Sequence, residues 1–234
     1  SNDIMHIKTV TLMVRDIQRS LDFYQQRIGL KLLDQKDNLY TLGTYENVAL
    51  LKLISNPNAR PKSRTTGLYH FAILLPSRAY LGQFIQHMIN TRTPVTGGAD
   101  HGISEALYLD DPDGNGIEIY ADRPVDLWPP FDDAVNAPMD YQDLIDNQVK
   151  EPFLHLPNGT IMGHIHLHVA NINKGIRFFE GVLGFRETMA YGPHAHFSSD
   201  QGYHHHLGFN VWAGIGVPNN PDDAVGLKAY DLFV

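Results

Sequence analysis

The sequence predicts an α+β fold made of repeated strand–helix–strand units, and three observations lead to this prediction. Residues 9–30 and 164–185 align without gaps, each residue matching the one 155 positions later. A second strand start at 67–76 precedes a helical stretch at 77–92. Residues 105–124 then carry two stretches of alternating apolar residues around an Asp-Pro-Asp-Gly-Asn-Gly turn, which is the pattern of a β-hairpin.

Each copy of the repeat predicts the same elements in the same order. Apolar residues alternate along 10–14 and 165–169, as in a strand with one buried face. An Asp or Asn follows each strand and is suited to cap a helix N-terminus, and apolar residues then recur at helical spacing up to a glycine. We therefore expect helices at 16–29 and 171–184, followed by further strands.

Four such units are expected along the chain, starting near residues 5, 67, 161 and 203. Residues 123–160 are rich in Pro, Asp and Asn and predict a long connector. We thus expect a first domain at 1–122 and a second at 161–234. Too few residues follow the start near 203 for a helix and closing strands, so we expect this last unit to be truncated and the natural protein to continue.

Composition restricts the classes of function. The formal charge of −8 and the pI near 5.8 argue against nucleic-acid and anionic-membrane partners, which require a basic face. No apolar run approaches membrane-spanning length and no signal-peptide pattern opens the chain, so we expect a soluble, cytoplasmic protein. The sequence has 13 histidines and no cysteine. Any metal would therefore be held by imidazole and carboxylate groups, which suit Fe(II), Mn, Ni, Co or Zn.

Four segments carry a resemblance to a known superfamily. Residues 10–30 are similar to the opening of modules in the vicinal-oxygen-chelate superfamily (glyoxalases, bleomycin-resistance proteins and extradiol dioxygenases), and residues 107–124 are similar to their closing hairpin. The segments GHIHLHV at 163–169 and GYHHHLGFNVW at 202–212 resemble the bacterial two-domain catechol-2,3-dioxygenases more closely. The resemblance implies tandem βαβββ modules whose mixed sheets curl into two half-open barrels.

The resemblance also implies where metal ligands lie, on the first strand of each module and on the last strand of one or both. The first-strand positions in this sequence are Thr9, His70, His164 and His206, and the closing-strand carboxylate of the second module is Glu118. Thr9 departs from the family pattern, because threonine stands where a histidine is expected. The candidate ligands are therefore His70, Glu118, His164 and His206.

These candidates leave two arrangements open. Modules three and four could form the site from His164 and His206, with a carboxylate beyond Val234. Alternatively, modules two and three could pair, which would bring His70, Glu118 and His164 together as a complete triad. A set of two histidines and one carboxylate leaves adjacent positions free on iron, where a catechol and dioxygen can both bind.

The resemblance implies a metal-dependent extradiol dioxygenase that cleaves a catechol- or hydroquinone-like ring. Such enzymes need an acid–base group near the metal, and His196 and His205 are the candidates. We expect a divalent metal, Fe(II) before Mn, Ni or Zn, with a small aromatic substrate and dioxygen as partners, and we allow for a homodimer. A glyoxalase-type lyase or isomerase, and a metal-free protein that binds aromatic compounds, are the alternatives.

Overall fold

The computed structural model describes residues 4–133 and 135–234. It contains four α-helices, two of which continue as a π-helical turn: α1 (Ile17–Asp22, then Phe23–Ile28), α2 (Arg78–Thr91), α3 (Tyr141–Asp146) and α4 (Ile172–Ile176, then Arg177–Val182). Single 3-10 turns lie at Val125–Leu127 and Phe131–Asp133. Among the described residues, no helix is long and apolar enough to cross a lipid bilayer.

Thirteen strands account for the remaining regular structure of the described residues: β1 (His6–Val14), β2 (Lys31–Lys36), β3 (Leu39–Gly43), β4 (Ala49–Ser55), β5 (Gly67–Leu75), β6 (Gly97–Asp100), β7 (Ser104–Asp110), β8 (Gly116–Asp122), β9 (Ile161–His168), β10 (Arg186–Tyr191), β11 (Ala195–Ser199), β12 (Leu207–Asn210) and β13 (Gly226–Phe233). They form two mixed sheets. The smaller has the strand order β13-β1-β4-β3-β2, and the larger has the order β10-β11-β12-β9-β5-β8-β7-β6.

The repeated helix starts have the predicted chemistry. Asp16 accepts a hydrogen bond from the Arg19 amide, and Asn171 accepts one from the Lys174 amide, so each caps its helix. The backbone turns into the left-handed region, with φ of 90° at Gly29 and 87° at Gly184. A side chain with a Cβ rarely adopts that conformation, which is why a glycine ends each segment. The sequence repeat is therefore a structural repeat.

Three βαβββ modules repeat the same pairing of strands. In each, the closing strand lies parallel to the first strand: β4 beside β1, β8 beside β5 and β12 beside β9. The first strands β5 and β9 pair antiparallel, and they join modules two and three into the larger sheet. β13 pairs antiparallel with β1 in the same way. The α+β class and the curled mixed sheets of the prediction are confirmed.

The segment near residue 203 corrects one sequence expectation. We expected it to open a fourth module, but its strand β12 pairs parallel with β9 and antiparallel with β11, so it closes module three. A short apolar run of this kind does not distinguish a first strand from a last one, because both are buried. The domain division at residues 122 and 160 stays a prediction. The larger sheet nevertheless combines strands from both predicted domains.

The two faces of the first strands have different roles. Ile165 and Leu167 of β9 are buried in the hydrophobic core, as are Val10, Leu12 and Val14 of β1. Alternate residues of a strand point to opposite faces. His164 and His166 therefore point away from that core, to the face on which the cavity described below opens.

Candidate metal centre

Three candidate residues lie on neighbouring strands in the middle of the larger sheet. Ala72 of β5 is the cross-strand neighbour of Glu118 on β8 and of His164 on β9. His70 precedes Ala72 by two residues and so shares its face of the sheet. The small Ala72 side chain leaves room for the three longer side chains to converge above it.

The three side chains meet at single atoms. Nε2 of His164 lies 2.5 Å from Oε2 of Glu118, and Nε2 of His70 lies 3.3 Å from each of those two atoms. Ligand atoms that occupy adjacent octahedral positions about 2.1 Å from a metal are separated by roughly 3 Å. One observed separation, 2.5 Å, is shorter than that value, and the other two, both 3.3 Å, are longer. Among the described residues, His70, Glu118 and His164 form a group whose ligand atoms lie close enough together to hold one metal ion.

Burial and charge at these atoms also fit a cation. Glu118 is 3% exposed, and its Oε2 atom has no well-oriented hydrogen-bond partner among the described residues. Although burial alone would raise the pKa of Glu118, His164 and His70 lower that pKa well below its usual value. Burial lowers the pKa of His164, against the opposing effect of Glu118. An ionised carboxylate and a neutral imidazole are the forms that coordinate metals. The cluster thus suggests a divalent-metal site.

His206 does not join this cluster. Its Nδ1 atom accepts a hydrogen bond from the Asp200 amide at 3.1 Å, and its backbone carbonyl accepts one from the amide of Ile165. It directly precedes the closing strand β12 rather than lying on a first strand. In module two, Glu118 of the closing strand lies beside Ala72 of the first strand. The equivalent pair in module three is Gly208 on β12 and His166 on β9. Module three therefore has no carboxylate at the position of Glu118.

His196 also lies outside the centre. Its Nε2 atom is 2.5 Å from Oε2 of Glu180, and its ring contacts Phe209 with centroids 5.2 Å apart. The adjacent Phe197 lines the cavity described below, and neighbouring residues of a strand point to opposite faces. The side chain of His196 therefore points away from the cavity.

In the described part of the chain, the equivalent position in the smaller sheet lacks such a cluster. In module one, Thr9 stands at the position that His70 has in module two. Lys52 stands at the position of Glu118, because it lies beside Thr11 in the way that Glu118 lies beside Ala72. The Thr9 hydroxyl donates a hydrogen bond to Asp231, whose carboxylate lies 3.5 Å from the Lys52 ammonium. An ammonium group cannot ligate a metal, so this equivalent position is filled by an ion pair instead.

A cavity of about 410 Å³ opens beside the three converging side chains, and this volume lies within the range of small-molecule sites. Its wall is mostly apolar and aromatic. His205 reaches it and packs against His164 with ring centroids 4.0 Å apart. The lining residues are Tyr69, His70, Ala99, His101, Ile103, Ser104, Tyr108, Glu118, Val135, Asn136, His164, His166, Met189, Phe197, His205 and Trp212.

Sequence reasoning missed several polar residues of this cavity, among them Tyr108 and His101. Tyr108 is the cross-strand neighbour of Glu118, and its hydroxyl lies 2.9 Å from Nε2 of His101. Burial and the adjacent Glu118 carboxylate raise the pKa of Tyr108, so the phenol stays protonated at neutral pH. The predicted hairpin contained the signal, because a connection of five residues at 111–115 pairs Asp110 with Gly116 and therefore sets Tyr108 opposite Glu118.

Comparison with known proteins agrees with the fold. The profile of the glyoxalase/bleomycin resistance protein/dioxygenase superfamily matches residues 6–119. The chain is also 43% identical to catechol-2,3-dioxygenase of Bacillus subtilis (strain 168) over 236 residues, which cover 98% of this chain and 82% of that protein. The chain belongs to this superfamily. The likeness to catechol-2,3-dioxygenase along nearly its whole length supports its assignment as an enzyme of the dioxygenase type.

More distant relatives share parts of the chain or its fold. Lactoylglutathione lyase of Escherichia coli O157:H7 is 28% identical over 127 residues, which cover 51% of this chain and 94% of that enzyme. Glyoxalase I from Zea mays superposes with a TM-score of 0.60 at 17% identity, covering 97% of this chain and 74% of that one. A candidate dioxygenase from Bacillus subtilis subsp. subtilis strain 168 superposes with a TM-score of 0.68 at 15% identity, covering 97% and 69%. The two superpositions show the same fold.

Proposed function

We propose that the protein is an Fe(II)-dependent extradiol dioxygenase that cleaves the ring of a catechol. One observation carries this proposal, namely the convergence of His70, Glu118 and His164 beside an aromatic-lined cavity. Two histidines and one carboxylate with open positions are typical of non-haem Fe(II) oxygenases. Bound Fe(II) would acidify the two vicinal hydroxyls of the substrate and hold dioxygen beside the ring.

The protein's own residues then hold the substrate and move protons. His205 lies at the cavity wall next to His164, and burial lowers its pKa well below the usual value. A neutral imidazole at that place can take the proton that a phenolic hydroxyl loses on binding. The protonated Tyr108 hydroxyl can donate a hydrogen bond at the cavity wall beside Glu118. Trp212, Phe197 and Met189 provide apolar surface for the substrate ring.

One set of assays distinguishes the proposed dioxygenase from its two alternatives, a binding protein and a glyoxalase-type enzyme. The protein is purified without metal, loaded anaerobically with Fe(II), and mixed with catechol in buffer that contains ¹⁸O-labelled dioxygen. We expect one dioxygen to be consumed per catechol and both labelled atoms to enter a ring-opened product. Catechol binding without oxygen uptake would instead indicate a binding protein. Turnover of a glutathione–methylglyoxal adduct in place of catechol would indicate a glyoxalase-type activity.

The cavity wall also predicts which catechols are accepted. No Lys or Arg is found among the described residues that line it. A substrate carboxylate would be buried there without a cationic partner, which is costly. We expect catechol and alkyl-substituted catechols to exceed 3,4-dihydroxybenzoate in kcat/KM by about 100-fold, which corresponds to about 2.7 kcal/mol.

A charge substitution tests that explanation. Val135 lines the cavity and is 50% exposed, so a lysine at this position can extend into the opening without being buried. In the Val135→Lys variant, we expect the preference for uncharged catechols to fall at least fivefold, while Val135→Met keeps it. Equal kcat/KM values for charged and uncharged catechols in the unmodified protein would contradict the prediction.

A further inference from the structure

A chain of hydrogen bonds runs from the end of β8 to the wall of the cavity. Nε2 of His204 lies 2.7 Å from Oδ1 of Asp122, and Nδ1 of His204 lies 2.8 Å from Nδ1 of His205. Asp122 ends β8, four residues after Glu118. The strand that supplies a candidate ligand thus also supplies the carboxylate at the far end of this chain. His205 is its last member and lines the cavity.

With Asp122 ionised and His204 neutral, the number of protons fixes the direction of each hydrogen bond. A carboxylate only accepts, so Nε2 of His204 must carry the proton that it donates to Asp122. A neutral imidazole carries one proton, and Nδ1 of His204 is then an acceptor. Nδ1 of His205 must therefore be the donor in the second bond. This leaves the other nitrogen of His205, Nε2, unprotonated and without a hydrogen-bond partner among residues 4–133 and 135–234.

Packing holds the middle member of the chain in place. His204 is fully buried, with its ring 4.0 Å from that of Tyr203 and 5.4 Å from that of Trp128, measured between centroids. The Tyr203 hydroxyl lies 2.6 Å from the hydroxyl of Tyr120, so a hydrogen bond connects the residue before His204 to strand β8. The His204 ring consequently cannot turn to exchange its two nitrogens without disrupting these contacts.

We propose that His204 and Asp122 are positioning residues, which hold His205 in the tautomer that presents an unprotonated Nε2 to the substrate. This inference rests on the proposed function, in which His205 accepts a phenolic proton. A histidine that alternates between tautomers would present a lone pair for only part of the time. The hydrogen bond on the far side of a functional imidazole fixes its tautomer and orientation in the same way at other histidine sites.

The tautomer is measurable without any catalytic assay. The full-length protein is labelled with ¹⁵N-histidine and loaded with Zn²⁺, which is redox-inactive and d¹⁰ and does not broaden NMR signals. Long-range ¹H–¹⁵N spectra distinguish a protonated ring nitrogen from an unprotonated one, and a His205→Gln sample assigns the signal. We expect the proton of His205 on Nδ1 in the unmodified protein, and a mixture of both tautomers in Asp122→Ala.

Matched variants separate this role from a general effect on structure. Asp126 follows Asp122 by four residues in the sequence and is exposed, so Asp126→Ala should leave both the tautomer and kcat unchanged. Asp122→Glu keeps a carboxylate and should restore much of what Asp122→Ala loses. With Fe(II) and catechol, we expect kcat of Asp122→Ala to fall about 10- to 100-fold, the usual effect of removing such a hydrogen-bond partner, while KM changes less than threefold.

A second variant covers the case in which Asp122→Ala folds poorly. His204→Phe keeps a buried ring of similar shape and removes both nitrogens, so it should give the same tautomer mixture and the same loss of kcat. A proton on Nε2 of His205 in the unmodified protein would overturn the proposal, as would an unchanged kcat in variants whose tautomer has changed. If the tautomer is as expected and catechol is not cleaved at all, the proposed function fails and the hydrogen-bond assignment stands.

Discussion

Replacing Glu118 or His164 is expected to abolish both metal binding and ring cleavage. In Glu118→Gln the proposed anionic ligand becomes neutral, and in His164→Ala one of the three proposed ligands is lost. We expect Fe(II) affinity to fall by at least ~100-fold in either variant and kcat to fall at least ~1000-fold, since a ligand contributes more than the 10- to 100-fold of its supporting groups. Isothermal titration of the metal-free protein with Fe(II) under anaerobic conditions measures the first effect directly.

The two variants together with His206→Ala also decide between the two arrangements that the sequence left open. Nε2 of His164 lies 2.5 Å from Glu118 and 3.3 Å from His70, whereas His206 is bonded to the backbone of Asp200. Equal losses in Glu118→Gln and His164→Ala, with normal Fe(II) affinity in His206→Ala, are therefore expected. Loss of Fe(II) binding in His206→Ala, with retention in Glu118→Gln, would place the centre between His164 and His206 instead.

The modular fold was predictable because local and global signals coincide in the repeat. Asp16 and Asn171 cap their helices, and Gly29 and Gly184 end those segments in the left-handed region, so short stretches of sequence already specify the element order. The hairpin around residues 112–115 was equally specific, because turn residues and alternating strands occur together. Such features do not depend on distant parts of the chain.

The pairing of modules could not be predicted in the same way. Which first strands lie side by side depends on contacts between distant segments, such as the pairing of Ala72 with His164, which are 92 residues apart. Neither strand pattern specifies its partner, because the apolar alternation of β1, β5 and β9 is similar. His70 and Glu118 could be expected to be neighbours, since one module contains both. The position of His164 beside them required the pairing of β5 with β9.

The histidine-rich segment at 203–206 illustrates a further limit. Its four residues have different surroundings: Tyr203 packs on His204, His204 is bonded to Asp122, His205 lines the cavity, and His206 accepts a backbone hydrogen bond. This segment lies in a connection rather than in a regular strand, so no simple period assigns each ring to a face. The sequence indicated that imidazoles cluster here, and only the structure distinguishes their roles.

Buried histidines should make the metal-free protein unusually sensitive to mild acid. Burial lowers the pKa of His166 and of His205 well below the usual value, and it lowers the pKa of His206 to about 4. The unfolded chain binds protons at these residues near pH 6.5, whereas the folded chain does not. Stability rises with pH wherever the unfolded state binds more protons, so folding is favoured above about pH 6.5 and is progressively lost as the pH falls toward the folded-state pKa values.

The free energy of unfolding of the metal-free protein is expected to depend steeply on pH. At pH 6, an unfolded histidine with a pKa near 6.5 carries about three quarters of a proton, so three buried neutral histidines give a slope of about 3 kcal/mol per pH unit. Small and medium-sized proteins have only about 5–15 kcal/mol of stability in total. Urea unfolding of the chelator-treated protein between pH 5.5 and 7.5 measures this slope, and His206→Gln should reduce it by about a third. A free energy of unfolding that stays constant over that range would show that these imidazoles gain protons as readily in the folded protein as in the unfolded one.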